Sequence, residues 1–137
     1  MNKDKVFLDS DVILDLLTER NPHFESAVEL FLMIQSQKIS AFTSPIVIAN
    51  IFYILSRHFN KEKALRSLIK IKTLVKVLNC GDDEIELALS SDFKDFEDSI
   101  QYFTALRHKM DIILTRNVKD YKPAKLNVST PLEYINT

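Results

Sequence analysis

The chain predicts an α/β domain built on a mainly parallel sheet, and three observations carry the prediction. Short runs rich in branched apolar residues, at 5–8, Ile39–Thr43 and Ile112–Leu114, alternate with longer stretches of helical periodicity. Such alternation marks parallel strands joined by helical crossovers. Polar residues suited to ligands follow directly after two of these runs: Asp9-Ser10-Asp11 after the first, and Thr115-Arg116-Asn117 with Asp120 after the last. In open α/β sheets, ligands bind just beyond the carboxyl ends of strands. Finally, 137 residues without repeats or a linker fit one domain over 1–137, long enough to bury a core without staples.

In order, residues 5–8 predict a first strand that feeds Asp9. A helix follows through Val12, Ile13, Leu16 and Leu17. Asp9 or Ser10 can serve as its N-cap, and Asp9 can equally point into the crevice of the sheet. Asp15 is expected to be exposed. Asn21-Pro22 breaks the helix. A second helix spans about 24–37, with Ala27, Leu30, Phe31 and Ile34 as its apolar stripe. After the strand at Ile39–Thr43, Ser44-Pro45 opens a helix, with Ser as cap and Pro at the first helical position. That helix, 46–57, is almost wholly apolar and so is expected to be buried. Asn50 is its one strongly polar interior residue.

Asn60 is placed to cap a basic helix over 61–73, with Leu65, Leu68, Ile69 and Ile71 as its apolar side. A short strand at 75–78 ends near Gly81. Asp83 and Glu86 have capping-box spacing for the next helix, which runs through Ile85, Leu87, Ala88 and Leu89. Asp95, Glu97 and Asp98 place three acids in four residues at the start of a helix carrying Ile100, Phe103 and Leu106. Asp95 and Asp98 have the spacing of a cap and its first turn. Beyond the strand at Ile112–Leu114, Asn127–Ser129 is expected at the sheet edge, and Thr130-Pro131 opens a short last helix.

Composition excludes several chemistries. Gly81 is the only glycine, which removes Gly-rich phosphate loops and the G-x-S-x-G nucleophile elbow. Cys80 is the only cysteine, so neither an internal disulfide nor a cysteine-based zinc site is available. His23, His58 and His108 fit no paired-ligand spacing. No apolar run has the length of a signal peptide core or of the ~20 residues that cross a membrane, so the cytoplasm is the expected location. The net charge of −1 names no partner, but its distribution is uneven. Residues 57–76 carry seven Lys or Arg and one acid, and 82–98 carry eight acids and one Lys. A basic segment beside an acidic one suits a nucleic-acid enzyme with a metal pocket, and equally suits solvated helix faces.

Three segments in order resemble the PIN-domain family of metal-dependent ribonucleases, which includes VapC-type toxins. They are Phe7-Leu8-Asp9-Ser10-Asp11-Val12, Glu97-Asp98-Ser99-Ile100-Gln101 with Ala105, and Thr115-Arg116-Asn117-Val118-Lys119-Asp120-Tyr121. The resemblance spans nearly the whole chain. It implies a three-layer α/β/α sandwich with a central sheet of about five strands. It also implies Asp9, Asp98 and Asp120 as catalytic acids that bind Mg²⁺ or Mn²⁺, with Asn117 sharing the last position and Asp11 placed behind them. Asp95 and Glu97 rank below Asp98.

The family usually places a second acid, a Glu, on the helix at 46–57, but no Asp or Glu occurs between Glu29 and Glu62. Asn50 stands at the Glu position. Its amide oxygen can coordinate a hard cation without adding charge, or the side chain can be a buried amide satisfied by backbone. The resemblance further implies an RNA substrate, an antitoxin partner and a homodimer, with no membrane association. Arg116, Lys119, Lys122 and Lys125 are placed to meet phosphate.

Two other readings stand beside the nuclease. One is a non-catalytic RNA-binding or scaffold module that lost its chemistry with the second acid. The other is a phosphatase of the haloacid-dehalogenase type, because Asp9-Ser10-Asp11 after a strand also resembles its D-x-D motif. No length is available for a cap domain, and no later acidic pair follows a suitable strand.

Overall fold

A computed structural model describes residues 3–137. Along the chain lie β1 (Asp4–Leu8), α1 (Ser10–Leu17), α2 (Phe24–Gln35), β2 (Ile39–Thr43), α3 (Pro45–His58), α4 (Lys61–Lys72), β3 (Val75–Val77), α5 (Asp82–Leu89), α6 (Phe96–Arg107) and β4 (Ile112–Leu114). A 3-10 turn (Val118–Tyr121), β5 (Asn127–Ser129) and α7 (Pro131–Ile135) complete the fold. All strands pair in parallel, in the order β3-β2-β1-β4-β5. The five-stranded sheet and flanking helices form the expected α/β/α sandwich.

The period of two along β1 divides the core. Val6 and Leu8 pack with α1, α2, α3 and α4 on one face, among Val12, Leu30, Ile51 and Leu68. Phe7 points the other way, onto Tyr102 and Ala105 of α6, Met110, Ile113 and Tyr121. Because β1 lies between β2 and β4, chain order reverses beside it. This is the switch point where strand ends leave a crevice.

Local chemistry sets the helix starts. Ser44 Oγ accepts from Val47 N–H at 3.2 Å, Asn60 Oδ1 from Lys63 N–H at 2.8 Å, and Thr130 Oγ1 from Glu133 N–H at 3.1 Å. Ser44 Oγ also donates to Gln101 Oε1 at 2.5 Å, both residues being buried, which ties the start of α3 to α6. At α5 the cap differs from the spacing-based expectation. Gly81 is the N-cap residue, and its N–H donates to Glu84 Oε2 at 3.0 Å. Glycine lacks a side chain to return a bond, so only the Glu84 half of a capping box forms. Glu84 is buried, whereas Asp83 pairs with Arg107 at the surface.

Packing corrects two apolar stripes. On α4 the buried residues are Ala64, Leu68 and Ile71, while Leu65 and Ile69 are exposed. The small Ala64 lets α4 approach α3 closely, which turns Leu65 and Ile69 outward. On α6 the buried line is Ile100, Tyr102 and Ala105, and Leu106 is exposed. Within the basic segment, Lys63 Nζ lies 3.8 Å from the Phe59 ring centroid and Arg66 pairs with Glu62 one turn away.

Candidate metal centre

The site forms where β1 and β4 end. Asp9 is the single residue between β1 and α1, and its N–H donates to Leu114 O at 3.1 Å. That bond fixes the carboxylate at the switch point. Asp9 has both roles open to it. Its Oδ1 caps α1 by accepting from Ser10 N–H at 2.8 Å, and its Oδ2 accepts from Thr115 Oγ1 at 3.0 Å and lies 3.2 Å from Tyr121 Oη. Asp98 enters from the first turn of α6, whose cap is Asp95: Asp95 Oδ1 accepts from Asp98 N–H at 3.0 Å. Asp98 Oδ1 lies 3.4 Å from the same Tyr121 hydroxyl. Tyr121 therefore stands between two carboxylates with one proton to donate.

Asp11 is held by the β4 end. Its Oδ2 accepts from Arg116 N–H at 3.0 Å and from Asn117 Nδ2 at 3.3 Å, with Thr115 Oγ1 also at 3.3 Å. Its Oδ1 is buried without a hydrogen-bond partner among the described residues. Asp120 is exposed on the 3-10 turn. Together these groups line a polar cavity of about 130 Å³, formed by Asp9, Ser10, Asp11, Asn50, Asp95, Glu97, Asp98, Gln101, Asn117 and Asp120. All five sequence-selected residues, Asp9, Asn50, Asp98, Asn117 and Asp120, thus reach one cavity. A larger one of about 520 Å³ lies elsewhere, between Asn79–Glu84 and Arg107-His108, and lacks such a concentration of unpaired carboxylates.

Six carboxylates line the small cavity and no Lys or Arg does. The electrostatic result is a raised pKa at Asp9, Asp11 and Asp98. Burial raises Asp9 above the ordinary carboxylate range, against the lowering effect of Ser10 N–H, Thr115 and Tyr121. Burial, then the Asp9 charge, pushes Asp11 up to about 6. Burial, then the charges of Asp9, Asp95 and Asp120, pushes Asp98 up to about 7. Tyr121 is pushed above its ordinary value by burial and the neighbouring carboxylates, so it remains a neutral donor. A divalent cation would reverse this trend, because it favours the charged form of every carboxylate near it.

The donor set fits such an ion. The six carboxylates are hard oxygen donors, the class preferred by Mg²⁺ and Mn²⁺. The unpartnered Asp11 Oδ1 is a further oxygen in need of a positive group. Among the described residues no three acidic, histidine or cysteine side chains are already gathered as a cage. Ser10 N–H, Thr115 and Tyr121 instead donate to these carboxylates, Tyr121 lying between Asp9 and Asp98.

Two expectations fail nearby. Asp15 is 2% exposed rather than exposed, because Arg116 reaches it with Nε at 2.7 Å from Oδ2 and Nη2 at 3.3 Å from Oδ1. Arg116 is thereby committed to a buried ion pair and is not free to meet phosphate. Tyr121 has the sequence setting of any core aromatic, yet its hydroxyl sits in the site. Asp95 and Glu97, expected to rank below Asp98, both line the cavity.

A PIN-domain family model matches residues 5–119. Ribonuclease VapC1 of Aquifex aeolicus (strain VF5) is 30% identical over 128 residues, covering 90% of this chain and 88% of that protein. Among solved structures, VapBC2 from Rickettsia felis, bound to a DNA fragment from the promoter, matches with a TM-score of 0.70 at 16% identity. That match covers 92% of this chain and 98% of the other. VapC20 of Mycobacterium tuberculosis, described as a sarcin-ricin loop cleaving toxin, matches with a TM-score of 0.63 at 18% identity, over 79% and 86% of the two chains. Motif order, sheet topology and these likenesses agree, and the chain belongs to the PIN-domain family.

Proposed function

We propose that this protein is a Mg²⁺- or Mn²⁺-dependent endoribonuclease that hydrolyses RNA phosphodiester bonds, and that it is the toxin of a toxin–antitoxin pair. The observation that carries the reading is the cavity with six carboxylates and no basic side chain at the switch point of the sheet. The ribonuclease name of the VapC1 relative and the toxin–antitoxin complexes among the structural neighbours support it. An antitoxin partner and a homodimer belong to the same proposal. No helix among the described residues is long and apolar enough to cross a membrane.

In this reading Asp9, Asp98 and Asp120 hold the ion. Asn117 shares the position of Asp120: its Nδ2 is given to Asp11, which leaves its amide oxygen as the available donor. The chemistry supplied by Mg²⁺ or Mn²⁺ at such a site is activation of water and neutralisation of phosphoryl charge. The chain's own residues orient the donors. Ser10 N–H and Thr115 fix both oxygens of Asp9, and Asp95 fixes the turn that carries Asp98. Lys119, Lys122 and Lys125 are exposed on and beyond the 3-10 turn and offer charge to RNA phosphates.

The decisive experiment is Asp98→Asn, which keeps shape and removes one charge. Mn²⁺-dependent RNA cleavage should be abolished while circular dichroism and melting remain those of a folded protein. Unchanged cleavage in pure Asp98→Asn protein would reject the assignment. The absence of an acid on α3 favours one alternative, an RNA-binding module without catalysis. Metal-independent RNA binding with no cleavage would select it.

A further inference from the structure

We infer that Glu97 supplies the carboxylate that α3 lacks, and that Asn50 positions it. The inference rests on the divalent-metal reading above and names a further residue of that site. Asn50 is half-buried on α3, and its Nδ2 donates to Glu97 Oε2 at 2.9 Å. The amide orientation follows from chemistry: turned over, it would set its carbonyl oxygen against a carboxylate oxygen. The atom that Asn50 directs toward α6 is therefore a nitrogen with no lone pair for a hard cation. Asn50 acts through Glu97.

Glu97 is suited to the role. It lies one residue before Asp98 in the first turn of α6, and both line the cavity with Asp9. Asn50 engages Oε2 alone, which leaves Oε1 open. Among the described residues no Lys or Arg pairs with Glu97. The negative charge stands on the α6 wall of the cavity rather than on α3, and the amide on α3 donates to it across the gap. The site thereby keeps the number of negative charges that an acid at position 50 would have given it. A competing account makes Glu97 an ordinary first-turn acid, favoured by the helix dipole, and the Asn50 bond a tether between helices. That account predicts no effect on metal affinity.

The test is calorimetric titration of the full chain with Mn²⁺ alone, paired with thermal melting of the metal-free protein. Glu97→Gln keeps an oxygen to accept from Asn50 and removes the charge. It should weaken Mn²⁺ binding about tenfold, equivalent to about 1.4 kcal/mol, with a near-normal melting temperature. Asn50→Ala should weaken binding several-fold when Glu97 is present, and add nothing in the Glu97→Gln background, as residues acting through one another do. Full Mn²⁺ affinity in Glu97→Gln, with affinity lost in Asp98→Asn, overturns the role of Glu97 and leaves the metal site standing. Full affinity in both variants overturns the metal site itself. Equal losses from Asn50→Ala in both backgrounds overturn the positioning role and make Asn50 a direct ligand.

Discussion

The Tyr121 hydroxyl lies 3.2 Å from Oδ2 of Asp9, and the same oxygen is 3.4 Å from Asp98. One phenol thus sits between an acid that ends β1 and an acid that begins α6. Among the described residues it is the one neutral donor in contact with both carboxylates, and it takes up oxygens that a cation would otherwise occupy.

Tyr121→Phe should therefore destabilise the metal-free protein by about 1–2 kcal/mol, the cost of removing the donor that lies between two crowded carboxylates. Saturating Mn²⁺ should shrink the difference, because the ion satisfies the same oxygens. Urea unfolding with and without Mn²⁺ measures both. A difference that persists unchanged in metal would mean that Tyr121 contributes only to packing.

Asp98→Asn should have opposite effects on function and stability. It removes the repulsion that Asp98 experiences from Asp9, Asp95 and Asp120. At pH 8 without metal, the variant should melt higher than wild type, by about 2–4 °C for each ~1 kcal/mol of strain relieved. Cleavage should be lost at the same time. A lower melting temperature would show that Asp98 is structural.

Protonation gives a pH dependence of definite sign. In the folded protein burial and the Asp9 charge push Asp11 up to about 6 and Asp98 up to about 7, against 3.8 for a free carboxyl. Between those limits the native state holds more protons than the unfolded chain, so stability falls as pH rises. The contribution of these two carboxyls should be full below about pH 4 and be lost as pH rises through about 6 and 7. Mn²⁺ should flatten the profile at the alkaline end. Melting curves across this range, with and without Mn²⁺, provide the check. Constant or rising metal-free stability from pH 5 to 8 would refute the crowded-carboxylate account.

The Asp15–Arg116 pair predicts a large asymmetry. Arg116→Ala leaves a carboxylate with 2% exposure unpaired and should cost about 3–5 kcal/mol. Replacing both partners with apolar residues of similar volume, Asp15→Leu with Arg116→Met, should restore much of that loss. Denaturant midpoints measure the cycle. If Arg116→Ala instead spared stability and weakened RNA binding alone, the arginine would be a phosphate contact.

Local chemistry was readable wherever it was local. Ser44-Pro45, Asn60 and Thr130-Pro131 cap the helices they were expected to cap, because a cap and its recipient N–H lie within three residues. Strand ends likewise point to Asp9 and Asp120, the PIN-domain resemblance points to Asp98, and all three line one cavity. What stayed hidden depends on distant partners. Asp15 looks like a surface acid until Arg116, 101 residues away, is folded onto it. Leu65 and Ile69 look like core residues until the close approach of α3 and α4 selects Ala64 instead. Glu97 looks like a helix-start acid until Asn50 is placed against it, 47 residues earlier in the chain. Periodicity reports which face of an element is apolar, but not which polar group on another element awaits it.

The junction of β1 and α1 consists of Asp9 alone, flanked directly by Leu8 and Ser10. Strand and helix are thus geared together without slack. One inserted residue here would turn α1 by about 100° and advance it by about 1.5 Å. Either Asp9 would leave the cavity or Val12 and Ile13 would leave the core. Length variation in this lineage should then be confined to other joints, such as 18–23 and 90–94, where several residues separate neighbouring helices. The junction after β1 is a point where the fold can change by substitution but not by insertion or deletion.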